Sequence, residues 1–542
     1  MKRLVFFFML VFSLSICINA QTFEWVKGMV GTVTPRAISL DDNENSYITG
    51  SFYGTATFGT TTLTNFSGGF SDIFIAKYDN AGNCVWVKQA GGSFSDFAYG
   101  ISCDEDGNIY LTGEFKGTVT FGAIELTSYG EWDIFIAKYD NAGRCLWVKQ
   151  AGGTSDDGGY GIYTDVNGNC YITGHFKGTA TFDNITLTSR GNYDIFIAKY
   201  DNAGNCLWTE QAGGSSNEIG NGIYTDANGN CYITGYFYAT ATFDTTILTS
   251  YGLWDIFIAK YDNAGNCLWV KQAGGDLGDC GYGISADIFG NCYITGYFGM
   301  TATFGTTTLT SSGMYDMFIA KYDNAGNCLW AKKAGSSNGD FGYGIFTTAN
   351  GNSYLTGYFK GTATFDTTTI SSYGNNDIFI AKYGNDGNCL WAKNAGGYSD
   401  DYGYGISSSS NSQIYVVGSD GGIANFGGTT LISTGGFVTK ILTSSTALDE
   451  ISQIATEFKL SQNYPNPFNP STVISYQLPV MCHVSLKVFD MIGNEVATLV
   501  NEEKPAGYHT VTFNAENIST GVYFYRLQAG DFVSTRKLVL MK

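Results

Sequence analysis

Six acidic residues, Asp96, Asp157, Glu218, Asp279, Asp340 and Asp401, follow one another at intervals of 61. Three residues after each stand Tyr99, Tyr160, Asn221, Tyr282, Tyr343 and Tyr404. A collar of carboxylates concentrates cations, and Ca²⁺ takes about six to eight oxygen ligands. Two neighbouring carboxylates could also hydrolyse a glycoside, although nothing singles out two of these six. The same regularity has a second reading: an acid present in every repeat serves the backbone donors of its own loop. A different column of the repeat varies. Just ahead of each "D[IM]FIAK" stretch come Ser71, Trp132, Tyr193, Trp254, Tyr315 and Asn376. A core position does not alternate Trp with Ser, so these residues either form a sugar- or protein-binding surface or cover a neighbouring hairpin.

Other chemistries find little support. No Ser/His/Asp arrangement, histidine collar or Gly-rich phosphate loop is present, and His175 is the one histidine of the repeats. "DEDGN" at 104–108 starts like a calcium loop but lacks the distal Glu and aligns with the turns "DVNGN" and "DANGN". The 13 cysteines do not read as a disulfide framework. Cys84, Cys145, Cys206, Cys267, Cys328 and Cys389 occupy one repeat position, so they stand a whole unit apart. Cys170, Cys231 and Cys292 open a strand that lies two strands away, roughly 10 Å in a sheet. Free thiols are expected, and neither a catalytic centre nor a resident cofactor is, with bound Ca²⁺ the one ion the acids suggest.

The elements that must position these residues follow from the period. Trp25, Trp86, Trp147, Trp208, Trp269, Trp330 and Trp391 are each 61 residues from the next. Each unit reads as four strands, as in "GYGIYTD", "CYITGHF", "DIFIAKY" and "CLWVKQAG", because apolar residues alternate along each. "DVNGN" and "DNAGN" supply the Asn and Gly that tight hairpins need. "KGTATFDNITLTSRGNY", between the second and third strands, reads as an extra hairpin. Seven such units predict a seven-bladed β-propeller over residues 21–445. The seventh unit stops at "GGFVTKIL" without a fourth strand, and "TFEWVKGM" at 23–30 is a fourth strand without predecessors. The N-terminal strand should therefore close the ring and leave no free edge. One face then carries only tight turns; the other carries the inter-blade loops and long connections, where function is expected.

Composition agrees with an all-β, exported protein. Glycine numbers 71, aromatics reach 15% and charged residues only 14%. A net charge of −19 with no basic run disfavours nucleic acid and anionic lipid. "MKRLVFFFMLVFSLSICINA" at 1–20 reads as a Sec signal peptide, and no other stretch is long and apolar enough to span a bilayer.

"DANGNCYITGYF" followed by "DIFIAKYDNAGNCLW" resembles the SBBP-type β-propeller repeat, a family defined by fold with no common activity. Five of the six prolines lie beyond residue 460, so a second domain is expected over 446–542. Its strand-like segments imply a small immunoglobulin-like β-sandwich. Pro465, Asn466, Pro467, Phe468, Asn469 and Pro470, the "GNEV" turn, "GVYFYRL" and the terminal "KLVLMK" make it similar to the type A C-terminal sorting domain of the type IX secretion system. That resemblance implies passage through the periplasm, contact with the type IX machinery, export across the outer membrane and attachment to the surface or release. The combined reading is a non-catalytic surface or secreted propeller that binds glycan or protein. The alternatives are a carbohydrate-active enzyme using collar acids and a structural surface component.

Overall fold

The computed structural model describes residues 21–104, 106–409, 413–433, 435–443, 458–463, 465–504, 507–530 and 532–541. The leader at 1–20, with Cys17, lies outside the described residues. No helix occurs among the described residues. Residues 21–443 form one compact unit and the C-terminal residues another.

Blade 3 shows the plan of the larger unit. Its strands Gly158–Thr164, Cys170–Phe176, Asp194–Tyr200 and Cys206–Gly214 pair antiparallel in chain order. The first strands of successive blades stand beside one another around a central axis, and Tyr402–Ser408 of blade 7 returns beside blade 1. Seven blades therefore close a ring.

Closure is made by one long strand, Thr22–Leu40. Its first half completes blade 7, with Thr22 opposite Leu442 and Val30 opposite Gly435. Its second half opens blade 1, with Thr32 opposite Tyr53 and Leu40 opposite Ser46. The chain's start and the last blade thus share main-chain hydrogen bonds, which removes the sheet edge that would template aggregation.

The extra hairpin has a use that its sequence alone does not reveal. In blade 3 it comprises Thr179–Phe182 and Ile185–Thr188. Its first strand also pairs with the outer strand of blade 2, Ala180 opposite Gly153 and Phe182 opposite Ala151. The same clasp recurs at every junction, including blade 7 to blade 1, where Met29 lies opposite Phe58. Each hairpin is anchored by a buried phenylalanine, such as Phe121 or Phe182, that packs on the third-strand phenylalanine of its own blade at 4.8–5.3 Å between ring centroids. Burial of such a ring contributes about 2–3 kcal/mol, enough to hold a four-residue strand that would be marginal alone.

The opposite face is joined by the turn that follows each third strand. Asn202, in the turn of blade 3, reaches into blade 2. Its carbonyl accepts the Trp147 indole N–H at 3.1 Å, and its amide oxygen accepts the Lys138 ammonium and, at 3.2 Å, the Tyr110 hydroxyl. Asn80, Asn141, Asn263, Asn324 and Asn385 each accept the indole and the lysine of the preceding blade in the same way. The repeated "DNAGN" is therefore an inter-blade peg as well as a turn. Between blades 6 and 7 that turn is missing because the fourth strand of blade 7 comes from the N-terminus, and Lys393 donates to the Gln21 carbonyl there.

The twelve cysteines among the described residues are free thiols, and Cys170, Cys231 and Cys292 open their second strands in the core, as their spacing predicts. The smaller unit has a three-stranded sheet and a four-stranded sheet. Ile474, Tyr476 and Phe513 from one share a core with Leu486, Leu527 and Leu538 from the other. The "PNPFNP" stretch holds the last strand: Asn466 Oδ1 accepts the Val539 N–H at 2.7 Å, and the buried Phe468 exchanges backbone hydrogen bonds with Val539 and Met541.

Candidate functional site on the loop face

The acidic ring is not a collar at the mouth of the channel, and the expectation that it would gather cations there is corrected. Asp96, Asp157, Glu218, Asp279, Asp340 and Asp401 are 0–1% exposed. Each sits at a blade junction and accepts backbone N–H groups, in Asp157, Asp279, Asp340 and Asp401 from both sides. Asp157 takes Gly153 at 2.7 Å and Lys177 at 2.9 Å. Asp279 takes Gly275 at 2.7 Å and Gly299 at 2.9 Å. Asp340 and Asp401 bind the equivalent amides, while Asp96 accepts the Lys116 amide at 3.4 Å and Glu218 the Gly214 amide at 2.8 Å, each leaving its second oxygen without a partner. The outer strand of one blade and the clasp of the next are thereby tied to one carboxyl group. A glycoside-hydrolysing pair drawn from these six has no access to substrate.

A second buried acid lies beside each. Asp133, which opens the third strand of blade 2, and Asp157 meet over Gly152, whose φ is +140°. A Cβ built on Gly152 would lie 2.9 Å from Asp157 Oδ2 and 3.0 Å from Asp133 Oδ1, so only glycine admits both carboxyl groups. Desolvation, reinforced by the neighbouring acid, pushes Asp157 up to about 7, and Asp279 behaves alike beside Asp255. Desolvation also raises Asp96 to about 8. These pairs are assembly chemistry, set where two blades meet.

The variable column ahead of the third strand is held by its backbone and freed at its side chain. The carbonyls of Trp132, Tyr193, Trp254, Tyr315 and Asn376 accept the N–H of the acid at their junction at 2.7–3.0 Å. Their side chains lie half-buried. Trp132 stacks on Phe97 at 5.6 Å, Tyr315 meets Tyr297 edge-on at 5.3 Å, and the Trp254 indole donates to the Tyr297 hydroxyl at 3.3 Å.

The tyrosine column forms an inner ring as its spacing suggests. Tyr99, Tyr160 and Tyr404 line a cup of about 180 Å³ at the loop end of the channel. Tyr282 and Tyr343 are half-buried with ring centroids 5.0 Å apart, and the Asn221 amide donates to the Gly281 carbonyl at 2.9 Å. One isoleucine from each blade, from Ile38 to Ile406, forms the floor.

Two groups of residues escape the sequence reading. Arg36 is the seventh member of the inner ring, its guanidinium 4.7 Å from the Tyr404 centroid, hidden because the first interval is 63 rather than 61. The second-strand residue that meets the inner ring also varies, as Glu114 in blade 2, His175 in blade 3 and Tyr236, Tyr297 and Tyr358 in blades 4 to 6. The signal was there in "TGEF", "TGHF" and "TGYF", one changing letter in a constant frame. Among the described residues no three His, Cys, Asp or Glu side chains converge to hold a metal ion. The Asp104 carboxylate of "DEDGN" accepts the Asn108 amide at 2.8 Å, as a turn requires.

Comparison with known proteins concerns the architecture. Residues 85–114, 207–236 and 268–297 match the beta-propeller repeat family, and residues 462–541 match the secretion system C-terminal sorting domain. The chain is similar, at 24% identity over 65% of its length, to an uncharacterized WD repeat-containing protein, L264, of Acanthamoeba polyphaga mimivirus. It is 23% identical over 66% of its length to the regulatory protein FlaEY of Caulobacter vibrioides. It spans only 31% and 40% of those two relatives. Among solved structures, a fungal alcohol oxidase of the AA5 family in complex with copper aligns over 96% of this chain and 99% of its own at 12% identity, with a TM-score of 0.40. The chain therefore carries SBBP-type β-propeller repeats followed by a type IX secretion C-terminal sorting domain, the mark of a protein sent to the cell surface or secreted.

Proposed function

We propose that the propeller is a non-catalytic binding module that captures glycan or protein on its loop face. The observation that supports this is the separation of duties there. Buried acids hold the junction backbones in a repeating arrangement, while the side chains of Trp132, Tyr193, Trp254 and Tyr315 differ from blade to blade and stand half-exposed. Rigid aromatic residues offer large contact area at little entropic cost, and a fixed frame with a changing surface is what selective recognition needs. The leader at 1–20 would deliver the chain to the periplasm, and the C-terminal sandwich would engage the type IX machinery.

The test is a thermal-shift screen of the full-length protein against Ca²⁺, chelator, a panel of oligosaccharides and candidate surface proteins. A ligand that raises the melting temperature of the parent protein should lose its effect on a Trp132→Ala/Trp254→Ala variant whose unliganded melting curve is preserved. An undiminished ligand shift in that variant would refute the loop-face reading. Release of products from a bound oligosaccharide would refute the non-catalytic one.

A further inference from the structure

The first strand of every blade carries the same irregularity at the channel. Its ladder with the second strand skips one residue, and that residue is always the inner-ring one, from Arg36 in blade 1 through Tyr99 and Tyr160 to Tyr404 in blade 7. A bulge takes a side chain out of the regular pleat and re-aims it. Glycine follows in blades 2 to 7, where a Cβ would press on the next blade; at Gly100 it would lie 2.9 Å from the Tyr160 carbonyl oxygen. The seven bulges thus present one side chain each at the loop end of the channel.

Only one of the seven is charged. Arg36 is exposed, its guanidinium stands 4.7 Å from the Tyr404 ring centroid, and it makes no hydrogen bond or ion pair among the described residues. Burial raises the phenols of Tyr99 and Tyr343, with Glu114 adding to the rise at Tyr99, and the guanidinium opposes it at both. Its charge therefore hangs over the ring rather than out in solvent. The Tyr99 hydroxyl is itself taken up by Glu114 Oε1 at 2.9 Å.

The cup has room beside this charge, and its walls select what enters. Its volume of about 180 Å³ is bounded by inner-ring residues of four consecutive blades, Tyr404, Arg36, Tyr99 and Tyr160, with isoleucines beneath and Arg36 the one charged residue in the lining. Pockets that enclose a whole small molecule run to about 300–1,000 Å³, so this one receives the end of a longer ligand. An unpaired guanidinium suits a carboxylate, which its fork of N–H donors grips at two points. The isoleucine floor suits an apolar group next to that carboxylate, whereas a uronate would bury ring hydroxyls there without partners. A net charge of −19 disfavours any further negative charge on the ligand.

We propose that Arg36, supported on the Tyr404 ring, binds the C-terminal carboxylate of a peptide whose last side chain is aliphatic and rests on the isoleucine floor between Tyr99, Tyr160 and Tyr404. The residues before it leave through the mouth of the cup and run out over the loop face. This site rests on the binding-module reading and deepens it, naming the ligand class and the point where the ligand is anchored.

The experiment titrates full-length protein, by calorimetry, with the hexapeptide Gly-Ser-Gly-Ser-Gly-Leu carrying a free carboxylate and with the same peptide as its C-terminal amide. Octanoate and tetragalacturonate serve as acyl-chain and sugar carboxylates. The free-carboxylate peptide is expected to bind about tenfold more tightly than its amide, and Arg36→Gln should remove about the same factor while leaving the melting curve in place. Arg36→Lys, which keeps the charge but not the fork, should recover part of that loss. Arg144→Gln, at an exposed arginine in a turn, should change nothing. Equal affinity for carboxylate and amide, or equal affinity in the parent and Arg36→Gln, would overturn the site and leave the binding module standing. Tighter binding of octanoate or tetragalacturonate than of the peptide would overturn the ligand class. Failure of every titrant overturns the carboxylate proposal. The binding-module reading then survives only if a ligand of the thermal-shift screen still depends on Trp132 and Trp254.

Discussion

The two faces of the propeller are stitched with different chemistry. On the turn face an asparagine from one blade is gripped by a lysine and an indole of the blade before it, with the same residue types at six junctions. On the loop face a buried acid ties an outer strand to the neighbouring hairpin, and the side chains above it differ. Both arrangements satisfy backbone or buried polar groups at a place where neither blade can do so alone. Only the loop face leaves residues over for anything else. Repetition marks assembly, and variation within the repeat marks the surface available for recognition.

The comparison breaks most readily at the acids. Asp279→Leu leaves the amides of Gly275 and Gly299 buried without an acceptor and should cost about 3–4 kcal/mol, read from the midpoint of denaturant unfolding. A loss below about 1 kcal/mol would mean that the loop acids do not hold the junctions. Asn202→Ala on the turn face strips acceptors from Lys138 and Tyr110, and about 2 kcal/mol is expected by the same measurement. If it exceeds the cost of Asp279→Leu, the turn face is the stronger seam.

The faces should also respond to pH in opposite senses. Asp157 and Asp279 titrate near 7 in the folded chain against 3.8 for an ordinary aspartate, so between those values the native state binds more protons than the unfolded one. Their contribution is most favourable below the lower value and is lost as pH rises through about 7. Turn aspartates such as Asp201 and Asp262 are held low by the amides of their own turns, despite an opposing desolvation, and lose their contribution as pH falls below about 4. The melting temperature should accordingly peak at mildly acidic pH and fall by several degrees toward pH 8, and the penalty of Asp157→Asn should shrink over the same rise. A melting temperature that climbs from pH 5 to pH 8 would contradict this assignment. The smallest effect is expected at the rim, where Tyr251 is 65% exposed: Tyr251→Ala should change stability by less than about 0.5 kcal/mol, so a larger loss would make the rim structural.

Much of the fold was legible because strand alternation and turn chemistry are local. The 61-residue step, the four strands, the extra hairpin and the displaced fourth strand at 23–30 could each be read within a short window. The roles of the recurring residues could not. Asp157 has the same neighbours in sequence whether it faces water or Gly153 and Lys177, and its regular spacing suited both a collar and a seam. Arg36 escaped through a two-residue shift, and His175 was visible as the lone histidine of the repeats but not as the neighbour of Glu114, 61 residues away.

By itself, then, the amino-acid order determined what each blade is, since hairpin pairing needs only alternation, Asn-Gly turns and a buried aromatic row. Tertiary structure decided what each blade does to the next. Clasps, pegs and paired acids exist only when segments of neighbouring blades are brought together, and burial between them turns ordinary surface residue types into buried acceptors. The same packing set Glu114 beside His175, because a missing side chain at Gly158 matters only once two neighbouring sheets lean over it.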